Sequence, residues 1–142
     1  MNILITSHAH LSDGLVEAFR MFASNCPLVH SVCLGDRGVD EFRADLSKEV
    51  ESLLSQGKLL IMSDLLGGTP YNESYVHAVG HPQDIKLVAG VNLPMLVEAG
   101  VLAMSLDDLD AVYEAALTAG AAGVSGATVS DEAYSPEEDD LF

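Results

Sequence analysis

The chain has 142 residues, 49% of them hydrophobic, and sets 22 acidic side chains against 6 basic ones for a formal net charge of −16. That length and apolar content suffice for one domain with its own core and argue against a disordered chain, while the charge argues against nucleic acid and anionic membrane surfaces as partners. No apolar run approaches the roughly 18–20 residues that span a bilayer, and the start lacks the basic, apolar and small-residue pattern of a secretory leader, so a cytoplasmic location is expected.

The first element is "NILIT", residues 2–6, a short apolar run that reads as a buried strand. "SDGLVEAFRMFASN", residues 12–25, places Leu15, Phe19 and Phe22 at helical spacing, with Ser12 or Asp13 as its cap. "LVHSVCL", 28–34, is a second strand, and residues 40–56 form a helix whose stripe is Phe42, Leu46, Val50, Leu53 and Leu54. Cys26 and Cys33 lie among apolar residues and read as buried, reduced thiols. "KLLIMSD", 58–64, is a third strand ending on Asp64; "LGGTP" is a loop, and Pro70 suits the first turn of a helix over about 70–80. "DIKLVAGV", 84–91, is a fourth strand, followed by helices over 92–102 and 106–123, the second with aspartates in its first turn that complement the helix dipole. "VSGATV", 124–129, is a candidate final strand. "DEAYSPEEDDLF", 131–142, has six acids and no base and reads as a disordered, solvated tail behind a domain of residues 1–130.

This order predicts an α/β fold: a doubly wound, mainly parallel sheet with helices on both faces, four strands parallel and the last one an antiparallel edge strand. Sites in such sheets form beyond the carboxyl ends of the strands. Three stretches collect there: His8 and His10 after the first strand, "DLLGGTPYN" after the third, and "GVNLP" after the fourth.

Two chemistries compete for the "HAH" pair. A His-x-His hydrolase would take His8, His10 and Asp64 as metal ligands. Such enzymes draw further histidines and acids from later strands, and this chain is far shorter than an eight-stranded barrel of about 250 residues. No metal and no cofactor are therefore expected. Phosphate chemistry fits better. Gly67 and Gly68 let backbone N–H groups approach an anion, Thr69 adds a hydroxyl, and a helix begins at Pro70. No Gly-Lys-Ser/Thr loop for a nucleotide is present. A receiver-type domain phosphorylated on Asp64 would need an acidic pair after the first strand, where Thr6-Ser7-His8 stands instead. A phosphohistidine needs one ring nitrogen free and the other held by an acceptor, and Asp64 on an adjacent strand can face His8.

The stretches "ILITSHAHLSDGL", "LLIMSDLLGGTPYN" and "LVAGVNLPMLVE" together resemble the enzyme IIA domain of the mannose-type sugar phosphotransferase system, over roughly residues 2–129. The resemblance implies a phosphoryl carrier. Phosphate would arrive on His8 from the histidine-containing phosphocarrier protein and pass to a IIB component, with the membrane IIC and IID subunits served indirectly. It implies Asp64 as the orienting carboxylate and Thr69 as the hydroxyl donor. Ala9 stands where glycine is common, and Leu66 where some members have an aromatic residue. His10, Leu66 and Asn72 are placed as partner contacts. The resemblance also implies a homodimer, with the strand over 124–129 exchanged between copies. The related phosphocarrier subunit of dihydroxyacetone kinases and a regulatory phospho-relay protein remain as alternatives. The transported sugar is not legible in this chain.

Overall fold

Ile3, Leu4 and Ile5 are fully buried at the centre of strand β1 (Asn2–His8), which pairs in parallel with β2 (Val29–Leu34) on one side and β3 (Leu59–Ser63) on the other. β4 (Ile85–Ala89) adds in parallel to β3, giving a four-stranded sheet in the order β2-β1-β3-β4. The structure, a computed structural model, describes residues 1–129.

Alternate residues of the strands feed two cores, one on each face, as the period of two requires. Ile3, Ile5, Leu60, Met62 and Val88 meet α1 (Leu11–Phe19), α4 (Leu93–Ala103) and α5 (Leu109–Ala122). Leu4, Leu59, Ile61 and Ile85 meet α2 (Gly38–Leu54), with α3 (Thr69–Gly80) contributing Ala78 beside them. Four residues of the predicted stripe of α2, Phe42, Leu46, Val50 and Leu53, are at most 2% exposed, while Leu54 is partly buried against them. Each such side chain stabilises the fold by about 1.5–3 kcal/mol on burial, which is why this helix is the longest despite its charged outer face.

Several boundaries differ from the sequence reading, each for a physical reason. β1 runs two residues further, through His8, because Ser7 and His8 stay in register with Cys33 and Leu34. α1 stops at Phe19, beyond which the chain continues in turns that still bury Ala23; Phe22 lies in them and is 38% exposed. Neither Ser12 nor Asp13 caps that helix: its N-cap is His10, which makes no side-chain cap bond. α5 begins at Leu109, where the Asp108 side chain accepts from the Ala111 N–H at 3.0 Å and so caps it. Among the described residues the sheet has four strands, all parallel, and the expected antiparallel edge strand is not seen. Residues 124–129 pair with nothing among the described residues; Val124 and Val129 are 80% and 94% exposed. Among the described residues this short segment, broken by Gly126, joins neither edge strand of the sheet, β2 or β4. The acidic stretch 131–142 lies outside the described residues.

The chain leaves β1 toward β2 on one side and returns to β3 on the other. The carboxyl ends of β1 and β3 thus flank the point where strand order reverses, the place where an open α/β sheet leaves a crevice. No helix among the described residues is long and apolar enough to cross a membrane.

Candidate phosphoryl-transfer site

Parallel pairing of β1 with β3 sets Thr6 opposite Ser63, and their hydroxyls are 2.9 Å apart in the core beneath the crevice. One residue further, the Asp64 N–H donates to the Thr6 carbonyl at 3.2 Å, so Asp64 leaves the sheet level with His8. A single carboxylate oxygen, Asp64 Oδ2, then accepts two bonds from His8: the backbone N–H at 2.9 Å and ring Nδ1 at 2.8 Å. The carboxylate is enclosed and the ring is open, their side chains being 10% and 48% exposed. The other oxygen, Oδ1, is buried and takes no hydrogen bond.

Burial alone would raise the Asp64 carboxyl, but the bonds from the His8 backbone and ring outweigh it and hold Asp64 below its ordinary value of 3.8. An ionised carboxylate only accepts, so Nδ1 carries a proton, and in the neutral ring the lone pair is on Nε2. That free nitrogen faces the "LGG" turn. A Cβ placed on Gly68 would lie 2.9 Å from His8 Cε1 and 3.6 Å from Nε2, so only a glycine lets the loop close over the ring edge. Gly67 takes φ +79°, the left-handed region that favours glycine.

Gly68 is the N-cap of α3, without a side-chain cap and with no acid in the first turn. Thr69 and Pro70 open the helix, so its uncapped N–H groups and its positive dipole end lie on the side of Nε2. The loop is held from below by Asn72, whose N–H donates to Gly68 O at 2.9 Å and whose Nδ2 donates to Gly67 O at 3.0 Å. Asn72, expected at a partner contact, thus has a bonding role within the loop. Leu65 and Leu66 are 58% and 70% exposed beside the site, and His10 is exposed nearby.

His8 and His10 do not converge. His10 Nδ1 lies 3.2 Å from Asp13 Oδ2, on another carboxylate altogether. The residue between them explains the divergence. Ala9 has φ +49°, a left-handed conformation that costs a non-glycine residue about 1–2 kcal/mol. It turns the chain out of the strand while the Ala9 N–H still donates to Leu34 O at 2.8 Å. The buried Ser7 hydroxyl secures this turn, donating to Ala9 O at 3.1 Å and accepting from the Ser12 N–H at 2.7 Å.

Sequence reasoning named Ser12 and missed Ser7, although "TSHAH" shows a small hydroxyl residue directly before the histidine. It also passed over a polar set on the β2 side. Ser31 Oγ donates to Asp13 Oδ1 at 2.6 Å, and this bond, with that of His10, holds the Asp13 carboxyl below its ordinary range. Burial pushes the Cys33 thiol up, and its Sγ is 3.1 Å from Ser12 Oγ.

A family model described as the fructose IIA component of the PTS system matches residues 2–117. The chain is 34% identical over 109 residues to the sorbose-specific EIIA component of the PTS system of Lacticaseibacillus casei, covering 75% of this chain and 76% of that one. It is 25% identical over 99 residues to the fructose-specific EIIA component of Bacillus subtilis (strain 168), covering 69% and 67%. Among solved structures, phosphotransferase system component EIIA from Streptococcus agalactiae superposes with a TM-score of 0.78 at 27% identity, over 88% of this chain and 95% of that one. The mannose/sorbose-specific IIA subunit from Enterococcus faecalis shares the fold, with a TM-score of 0.80 at 22% identity over 93% and 98%.

Proposed function

The chain belongs to the mannose-type EIIA family of the phosphotransferase system, a family of phosphoryl carriers, and on that footing we propose that its carrier atom is His8 Nε2. The observation that carries this reading is the double bond-donation from His8 to Asp64 Oδ2, which fixes the ring and leaves Nε2 as the nucleophile. The donor is the histidine-containing phosphocarrier protein. The Nε2 lone pair attacks the phosphorus, the phosphorus–nitrogen bond to the donor's histidine breaks, and the electron pair returns to the donor ring. Asp64 stabilises the charge that appears on the His8 ring. Gly67, Gly68 and Thr69 receive the phosphoryl oxygens at the start of α3, where uncapped N–H groups and the helix dipole favour an anion. The same steps in reverse pass the phosphoryl group to a IIB component, and so to the membrane IIC and IID subunits. Leu66, His10 and the neighbouring Leu65 form the surface on which these partners dock. The reaction is cytoplasmic.

The carrier domain spans residues 1–130, with 131–142 an acidic tail, and works as a homodimer. The exposed, unpaired state of residues 124–129 supports a second copy as their partner, joined as an antiparallel edge strand. Light scattering on the full chain and on a version ending at Gly123 tests this: the full chain is expected to be a dimer and the shortened chain a folded monomer.

The test of the carrier atom is intact mass after incubation with phosphoenolpyruvate and the two general phosphotransferase proteins. Wild type and His10→Ala gain one acid-labile phosphate, and His8→Ala gains none. Labelling that survives the loss of His8 overturns the assignment.

A further inference from the structure

The bond-making chemistry of the carrier reaction involves none of a second set of side chains on the β2 side of the crevice. His10 comes from the turn after β1, Asp13 from the first turn of α1 and Cys33 from β2. They bring a ring nitrogen, a carboxylate oxygen and a sulfur within 4.8 Å of one another. His10 Nδ1 and Asp13 Oδ2 are 3.2 Å apart. Nitrogen and oxygen ligands at about 2.0–2.1 Å from a tetrahedral zinc stand about 3.3–3.4 Å apart, so this pair already has the spacing of a coordination edge. The two sit three residues apart at the start of one helix, and the third group comes from a neighbouring element.

The set also has outer partners. Ser31 Oγ donates to Asp13 Oδ1 at 2.6 Å, which leaves Oδ2 as the oxygen that faces His10. Ser12 Oγ stands 3.1 Å from Cys33 Sγ, where its hydroxyl can donate to a thiolate. Groups of this kind orient metal ligands and tune their affinity. A groove lined by Ala9, Gly35, Asp36 and Arg37 opens beside Cys33 and His10. The nearby Arg37 charge is engaged by Asp45 at 2.7 Å and Glu41 at 3.7 Å.

We infer that His10, Asp13 and Cys33 form a three-ligand site for a zinc-class divalent cation, with its fourth position open to the groove. One thiolate, one imidazole and one carboxylate suit zinc or cobalt and not magnesium or calcium, which prefer oxygen alone. This is not the His-x-His set considered from the sequence, since His8 Nδ1 is committed to Asp64. A cation here ties the turn that follows His8 to the β2 edge. The inference stands apart from the phosphoryl reading.

The test uses the full chain, produced without a histidine tag and kept reduced. Native mass spectrometry and titration with zinc are expected to give one zinc per chain. Cobalt is expected to give the near-ultraviolet absorption of a cobalt–thiolate bond. Cys33→Ser abolishes that absorption and the stoichiometric zinc, His8→Ala keeps both, and Ser31→Ala weakens zinc by about 10–100-fold. Circular dichroism checks each fold; should Cys33→Ser not fold, His10→Ala at its exposed position replaces it and is expected to lose the zinc. No zinc retained by wild type, binding equal in the ligand variants and wild type, or loss of binding in His8→Ala each overturns the site.

Discussion

Among the described residues are two histidine–aspartate pairs whose histidines are two residues apart, and they are built in opposite ways. His10 and Asp13 are neighbours in sequence, 89% and 52% exposed, joined by one contact of 3.2 Å. His8 and Asp64 are separated by 56 residues and joined by two bonds to one enclosed oxygen. An exposed local pair is screened by water and is worth little by itself. A carboxylate that the sheet delivers and encloses fixes a ring's orientation and tautomer, because it has nowhere else to turn. The same two chemical groups thus make a positioned nucleophile in one place and an open, adaptable cluster in the other. The difference lies in what holds the carboxylate.

The sharpest way to break this comparison is to remove each charge in turn. Asp64→Asn is expected to keep the fold and to slow phosphoryl transfer by about 10²–10⁴-fold, since an amide can present the wrong group to Nδ1. Asp13→Asn slows transfer far less, as Asp13 has no contact with the His8 ring. Single-turnover transfer measured for both variants decides it: equal effects would mean that the His8–Asp64 pair has no special role.

A smaller effect is expected where the loop meets the ring. Gly68→Ala puts a methyl group against His8 Cε1 and forces the ring or the loop aside. The expected loss of stability is about 1–3 kcal/mol, read from urea unfolding, with transfer reduced as well. Wild-type behaviour in both would mean that the loop does not constrain His8.

The turn that separates the two pairs is the next test. Ala9→Gly relieves the left-handed strain at φ +49° and is expected to stabilise the fold by up to about 1 kcal/mol, less the added freedom of the unfolded chain. A thermal-unfolding midpoint that falls clearly would show the turn to be unstrained.

The smallest effect is in acid. The Asp64 carboxyl is held below 3.8 in the folded state, so its stabilisation is fully present above that value. It is lost as pH falls through the lowered folded value. The stability difference between wild type and Asp64→Asn is therefore expected to be constant from neutral pH down to about 5 and to shrink by about pH 3. A difference that grows in acid contradicts the assigned direction.

Much of this molecule was legible as sequence because its signals are local. The run "NILIT", the stripe from Phe42 to Leu53 and the proline at the start of α3 each depend on near neighbours, and each appears where expected. The carboxyl ends of β1 and β3 were legible too, since alternating strands and helices leave few topologies and put His8 and Asp64 on one side of the sheet. Other features depend on groups brought from afar. That the Ser7 hydroxyl, and no residue of α1, serves the first turn of the helix follows from the unusual backbone at Ala9, which no spacing reveals. That residues 124–129 pair with no strand of the described sheet has the same origin, since a strand exists only where a partner edge receives it. The sequence by itself determined the layers, the core stripes and the histidine to examine, because hydrophobic periodicity and glycine placement act over a few residues. Only the tertiary structure decided which nitrogen is free, which carboxylate holds which histidine, and that Cys33 meets His10 and Asp13, because those are distances across strands.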